Sequence, residues 1–413
     1  MTISRRNILK AAAAAAAAPT LGAMLARPGY AQGATIKIGV MNDQSGAYRD
    51  LSGPGSVQAV RAAIAEMQDK GISIEVVSAD HQNKPDVGST IARQWFDRDG
   101  VDVIVDVPTS SVALAVANIA KEKNRVYVNS GGAVSDLTGK ACSPNTVHWT
   151  YDTWMLAHST GGALVRAGGD TWFFVTADYA FGHSMERDAG SFIAQQGGKV
   201  VGSVRTPFPG TTDFSSYLLQ AQQSRAKVIG LVNAGTDTVN SIKQAAEFGI
   251  GRRGSKLAAM LVFLSDVHSL GLEAAQGLVL SETFYWDLND RTRAVSSRIG
   301  DIDGNRKPTM VQAGCYAGVL HYLKAVSDLG VPQAKADGRA VVERMKAMPT
   351  NDDAFGEGKI RPDGRKIHPV YLFEVKKPEE SRGAFDYYKL IGTTPAEEAF
   401  RPMNEGGCEM VRG

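Results

Sequence analysis

The chain has 413 residues, more than one ordinary hydrophobic core accommodates, so two domains are the starting expectation. Its 43% hydrophobic and 21% charged residues are the make-up of a soluble globular protein. The net charge is +2, but Arg5, Arg6, Lys10 and Arg27 are unopposed by any acid in the first 31 residues; without them the remainder carries −2 and has no electrostatic reason to bind nucleic acid or an anionic membrane.

The N-terminus reads SRRNILKAAAAAAAAPTLGAMLARPGYAQGA. A basic start, an alanine-rich stretch and a small-residue end describe an export signal. The Arg5–Arg6 pair, with Lys10 after it, resembles a twin-arginine signal, a route that carries folded proteins. Residues 1–31 are assigned to it, with cleavage expected after Ala31 and, as second choice, after Ala26. Alanine contributes little to membrane insertion and Pro19 interrupts the run, which argues against a retained anchor.

Residues 35–40 alternate like a strand. The loop MNDQSGAYRDLSGPG follows, and Val57, Val60, Ile64 and Met67 then recur at helical spacing. A glycine-rich loop between strand and helix raises the question of a nucleotide. Gly46, Gly53 and Gly55 lack the G-x-G-x-x-G spacing, Asp80 is a weak ribose partner, and no P-loop lysine is present. The loop reads as a ligand loop without phosphate chemistry, or as a set of turns. Residues 72–78 are expected as a strand, 86–97 as a helix, and VDVIVDV (101–107) as a strand buried on both faces. Pro108-Thr109-Ser110-Ser111 then opens a helix over 110–123. Hydroxyls and free N–H groups at a helix start suit a carboxylate; the alternative is that Ser110 or Ser111 only caps its helix. The strand at 125–130 runs into Gly131-Gly132-Ala133, where a ligand can approach the backbone.

A second series follows: a helix at 153–167, a strand at 171–177, a helix near 183–197, strands at 199–204 and 227–232 with helices near 213–224 and 235–248, then strands at 257–264 and 277–282. Alternating strands and helices imply parallel sheets covered on both faces. A long helix spans 308–329, and 358–377 reads as two strands turned at Pro362-Asp363-Gly364. These last helices have no strands of their own and are expected to pack back on the first lobe. Cys315 lies in the apolar helix and reads as a buried thiol. That leaves Cys142 and Cys408 as the pair a periplasmic disulfide would join, if one forms.

The start IKIGVMNDQSG, the PTSS turn, VNSGGAVSDLTG, DYAFGHS and the two-lobed order together resemble the periplasmic type I solute-binding proteins of ABC importers, in the leucine/isoleucine/valine-binding branch, along the whole mature chain. The resemblance implies two doubly wound α/β lobes joined by a multi-strand hinge, residues 34–151 with 286–350 forming lobe 1 and 152–285 with 351–413 forming lobe 2. It implies that Thr109, Ser110 and Ser111 hold a ligand carboxylate and that Gly132 and Ala133 offer backbone groups. Tyr179 would close from the second lobe, Tyr48 would wall the pocket, and Asn233 and Asp237 would be further contacts. Asp266 resembles the acid that pairs with an ammonium, one methylene shorter than the common glutamate; it could equally cap its turn. Tyr285 and Trp286 read as hinge packing, with pocket aromatics as the alternative.

Seven histidines form no HExxH or other tight metal pattern, and GHSME is not a nucleophile elbow. No catalytic residue, metal or cofactor is assigned. The expectation is an exported, monomeric, non-enzymatic receptor in the periplasm. It would close on a small carboxylate-bearing solute, a hydrophobic or branched-chain amino acid first and an aromatic carboxylate second, and deliver it to ABC permease and ATPase subunits. The alternative is a ligand-sensing subunit for a membrane signalling protein.

Overall fold

The opening strand forms as β1 (Ile36–Asn42), with Ile36, Ile38 and Val40 wholly buried. The computed structural model describes residues 35–251 and 254–411; the export signal over 1–31 and its two cleavage points lie outside them. β1 pairs on one side with β2 (Ile74–Asp80) and on the other with β3 (Val103–Asp106), followed by β4 (Val126–Asn129) and β5 (Thr146–His148). All five are parallel in the order β2-β1-β3-β4-β5. The direction of winding reverses between β1 and β3, and their following loops diverge there, which opens a crevice at the carboxyl edge. The register places Met41, Asp106, Asn129 and His148 in one row along that edge.

The second sheet repeats this plan. Its strands are β6 (Thr171–Ala177), β7 (Lys199–Thr206), β8 (Val228–Val232) and β9 (Lys256–Ala259), parallel in the order β7-β6-β8-β9. Here the winding reverses between β6 and β8. The strand expected over 257–264 ends at Ala259, and Leu264–Leu270 is a helix whose first turn holds Asp266. A continuous apolar run suits a buried strand or a buried helix start equally well.

The chain then crosses. β10 (Val279–Glu282) pairs antiparallel with β14 (Val370–Val375), and β14 with β15 (Tyr388–Thr394). Between them β11 (Thr350–Asp352), β12 (Gly356–Ile360) and β13 (Lys366–Ile367) make a small antiparallel sheet. The turn at 362–364 joins β12 to β13, and Arg365 bridges to His148 at the edge of the first sheet. Trp149 is buried beside it.

The helix Met310–Leu329 is buried along nearly its whole length, as a helix apolar on most sides should be. Thr309 and Gln312 form a reciprocal capping box at its start, Thr309 N donating to Gln312 Oε1 at 3.0 Å. The same residues reach back to the turn that enters the helix Gly53–Ala65: Thr309 Oγ1 donates to Leu51 O at 2.6 Å and Gln312 Nε2 to Ser52 O at 3.1 Å. Val319, Leu323 and Val326 share one core with Val103, Val105 and Val128. Each such side chain contributes about 1.5–3 kcal/mol by leaving water, so the late helix is part of the first core. Cys315 is a buried free thiol on this helix, and Cys142 and Cys408 are joined by a disulfide with Cα atoms 5.6 Å apart.

Candidate functional site

The opening loop wraps around its own anion. The Asp43 carboxylate accepts Gly46 N at 2.7 Å, Tyr48 N at 2.8 Å, Ser45 N at 3.3 Å and Asn83 Nδ2 at 2.6 Å. The N–H groups of Ser45, Gly46 and Tyr48 are therefore already used, and Gly46 serves a turn organised by an aspartate. This turn delivers Tyr48, 2% exposed, to the gap between the two parallel sheets.

At the end of β3 the backbone is strained: Asp106 and Val107 both have positive φ, 83° and 58°. Such conformations persist where the surroundings over-determine them. Here Ser52 Oγ donates to the Asp106 carboxylate at 2.6 Å and Asn42 Nδ2 at 3.1 Å. Burial pushes the Asp106 carboxyl up to about 6 against these donors. The strained pair aims Pro108 and Thr109 into the start of the helix Ser110–Glu122. The Thr109 hydroxyl is turned to Asn83 Oδ1. Ser110 Oγ is buried with no protein partner, beside the free N–H groups of the helix start, whereas Ser111 is half-buried.

Next along the edge, Asn129 clamps the glycine turn with both ends of its amide: Gly132 N donates to Oδ1 at 2.9 Å and Nδ2 donates to Gly132 O at 2.6 Å. Tyr151 OH holds Gly131 O at 2.7 Å, and Thr153 N holds Ala133 O at 2.8 Å. Gly132 and Ala133 are both buried.

The carboxyl edge of the second sheet faces these turns. Tyr179 follows β6, and its hydroxyl lies 2.5 Å from Tyr48 OH. Phe208, after β7, stacks on both rings, with centroids 5.3 Å from Tyr48 and 4.3 Å from Tyr179. After β8, Gly235 adopts φ +60°, and a Cβ there would lie 2.3 Å from Ala47 O; glycine is what permits this approach. Thr236 N then donates to Ala47 O at 3.1 Å. The two carboxyl edges are thus in direct contact through the opening loop, with an aromatic triple stack beside it.

Asn233 spends its amide locally, donating to Ser241 Oγ and accepting from Thr238 Oγ1, both at 2.9 Å. Asp237 is 5% exposed and its Oδ2 has no protein partner; burial pushes its carboxyl up to about 7. Asp266 accepts Phe263 N at 3.0 Å, so it does cap its turn, and burial likewise raises it to about 7. Glu282, at the end of β10, is buried, raised well above the carboxylate range by burial with the Asp266 charge adding, and held by Tyr388 OH at 2.8 Å. Among the described residues no cation offsets Asp237 or Asp266.

Tyr285 OH and Trp286 Nε1 both donate to Phe385 O, at 2.8 and 2.9 Å, and so belong to the packing of the C-terminal segment. Sequence reasoning missed Asp106, Tyr151, Phe208, Phe263 and Glu282. Tyr151 packs edge-on to Phe263 at 5.8 Å, closing the wall between the glycine turn and the Asp266 turn.

A family model described as a periplasmic binding protein matches residues 35–383, and one for the TAT (twin-arginine translocation) signal sequence matches residues 2–22. A periplasmic binding protein of Burkholderia mallei is 45% identical, covering 92% of this chain and 99% of its own, with a TM-score of 0.87. A branched chain amino acid ABC transporter periplasmic ligand-binding protein of Burkholderia xenovorans is 39% identical, covering 91% and 100%, with a TM-score of 0.78. A solute-binding protein of an ABC transporter from R. palustris, in complex with benzoate, shares the fold at 20% identity, 91% and 100% coverage and a TM-score of 0.78. No curated protein matches the chain.

Proposed function

Since this chain belongs to the periplasmic binding protein family, the solute-binding type of ABC importers with parallel α/β lobes, we propose that its solute is a small carboxylate, and that an ammonium group on it would meet Asp266. A hydrophobic or branched-chain amino acid comes first, and an aromatic carboxylate second. The observation that carries the reading is the mismatch between the two edges. Ser110 offers an unpartnered hydroxyl and helix-start N–H groups, while Asp266 on the other side is a buried acid with no cation beside it among the described residues. Burying an uncompensated carboxylate is costly, and an ammonium would relieve it. Tyr48, Tyr151 and Phe263 supply an apolar wall. The Burkholderia xenovorans relative, named for branched chain amino acid transport, supports the first choice.

In this reading Thr109, Ser110 and Ser111 form the carboxylate end. Of these, Thr109 orients the turn through Asn83 and Ser110 makes the contact. Gly132 and Ala133 contribute backbone groups, and Asn233 shapes the helix start that carries Asp237. We place 356–367 with the first lobe, because Arg365 bridges to His148. Family members work with permease and ATPase components; closure would present the paired lobes of a monomer to them.

Thermal unfolding of the mature protein against leucine, isoleucine, valine, phenylalanine, benzoate and 4-hydroxybenzoate tests this. A solute at about 100 times Kd stabilises the fold by about 2.7 kcal/mol. An upward shift with amino acids, lost in Asp266→Asn, is the expected result. A shift only with acids that lack an amino group would remove the ammonium from the proposal.

A further inference from the structure

Beside the opening loop lies a cavity of about 380 Å³ lined by residues of both lobes. Ser45, Gln82 and Lys84 line its first-lobe wall, and Thr211, Asp237 and Asn240 its second-lobe wall. It shares neither Ser110, Gly132 nor Asp266 with the inner site. Asp237 is the one acid there with an unused oxygen. The other lining aspartate, Asp43, is saturated by the loop donors described above. Asp237 sits in the first turn of the helix Thr236–Glu247, where the helix dipole favours the charged form. It is 5% exposed, its Oδ2 is buried without a partner, and no described donor reaches either oxygen. Lys84 makes no ion pair within 4 Å among the described residues, so it does not serve Asp237 from across the cavity.

We infer that this cavity is a second binding site for an alkylammonium group, received by the Asp237 carboxylate. A primary ammonium fits because it brings three donors on a compact charge to the second-lobe wall, where Asp237 stands beside the Thr211 hydroxyl and the Asn240 amide, with Ser45 and Gln82 opposite; Lys84, also in the lining, opposes it by like-charge repulsion. The ammonium could belong to a separate small amine or to the far end of a long solute held by the inner site; the chemistry at Asp237 is the same. The inference uses the two-lobed receptor reading only for the cavity and does not depend on which solute fills the inner site.

The test is thermal unfolding of the mature chain with 1,4-diaminobutane, against 1,4-butanediol and salt of matched ionic strength. A saturable rise of about 3 °C at a hundredfold excess over Kd is expected with the diamine only. Asp237→Asn should abolish it. Asn240→Lys, one helical turn along the same wall, should abolish it while raising the melting temperature of the unliganded protein. Lys84→Met should leave it or strengthen it. In a second arm, 6-aminohexanoate is compared with hexanoate. An advantage of about tenfold or more for the amino compound, lost in Asp237→Asn, marks the far end of one solute; stabilisation by the diamine alone marks a separate amine. No saturable effect in either arm, or an equal effect in Asp237→Asn, overturns the inference. So does loss of the shift in Lys84→Met, which would make Lys84 part of the site. If the amino acid panel fails while the diamine acts, the inner-site reading falls and this one stands.

Discussion

The disulfide between Cys142 and Cys408 joins residues 266 apart in sequence and fastens the C-terminal tail beside the ligand turns. Chain-entropy reasoning for a loop of that length gives about 5–6 kcal/mol at 25 °C. That figure assumes the whole fold is lost at once. The tail offers an easier route: it can peel away locally, exposing Ala399, Phe400 and Cys408, which are 3%, 2% and 0% exposed. Two or three buried side chains of this kind hold about 2–4 kcal/mol, and this smaller figure limits what the staple adds. At about 2.1 cal/mol/K per residue, the folded region of about 380 residues unfolds with an entropy near 0.8 kcal/mol/K. The Cys142→Ser/Cys408→Ser protein should therefore melt about 3–5 °C lower by calorimetry. Its tail should lose amide protection before either parallel sheet does. Arg401 Nη2, which donates to Ser135 O at 2.9 Å, leaves with the tail, so the loop after Ala133 should loosen with it. A double variant that melts at the wild-type temperature with the tail still protected would refute the reasoning.

Gly235→Ala should weaken solute binding by about ten- to a hundredfold, measured by calorimetric titration, because a Cβ would overlap Ala47 O when the lobes are closed and the Thr236–Ala47 hydrogen bond would be lost with the displacement. The unliganded protein should lose less, because open lobes relieve the overlap with Ala47 O. Tyr48→Phe removes one hydroxyl of the inter-lobe pair and should cost about 1 kcal/mol of affinity, seen as a faster off-rate, without altering which solutes bind. Asp266 has its folded pKa raised to about 7 from an ordinary 3.8, so the folded state binds the extra proton. Its contribution falls as pH rises from 4 to 7 and is flat above, a loss of up to about 4 kcal/mol. The melting temperature of Asp266→Asn should accordingly exceed that of the wild type by more at pH 8 than at pH 5; a constant difference would contradict this.

Both parallel sheets could be read because their strands are apolar runs separated by amphipathic helices. VDVIVDV and KVIGLV have no other plausible home. β5, only three residues, was not legible, because Thr146–His148 carries no period and is a strand only through its neighbour β4. β15 is half exposed, with Leu390 47% and Ile391 46% exposed, and shows no core-facing alternation. At the site, the turns were legible because hydroxyls and glycines at strand ends have few other uses. Phe208 was not, being a lone aromatic in a loop whose partners Tyr48 and Tyr179 come from distant segments. Asp106 was hidden inside an apolar strand, where only the folded neighbours Ser52 and Asn42 disclose its role. Asn233 follows β8 as the sequence suggests, and its amide bonds Ser241 and Thr238 of its own helix start, a pairing that spacing alone does not disclose.

The crossing of the chain has a consequence for how the protein is made. β10 cannot complete its sheet until Val370–Val375 and Tyr388–Thr394 exist, and the first core lacks a wall until the helix Met310–Leu329 docks on it. At about 5–20 residues per second, roughly 20–70 s separate synthesis of the signal at 2–22 from that of the last strand. Throughout that interval the ribosome displays an address on cargo that is not yet finished. A route that accepts folded cargo tolerates this wait, whereas one that threads a nascent chain would separate pairs that fold only together. The receptor is thus a completed object before it reaches the compartment that holds its solute.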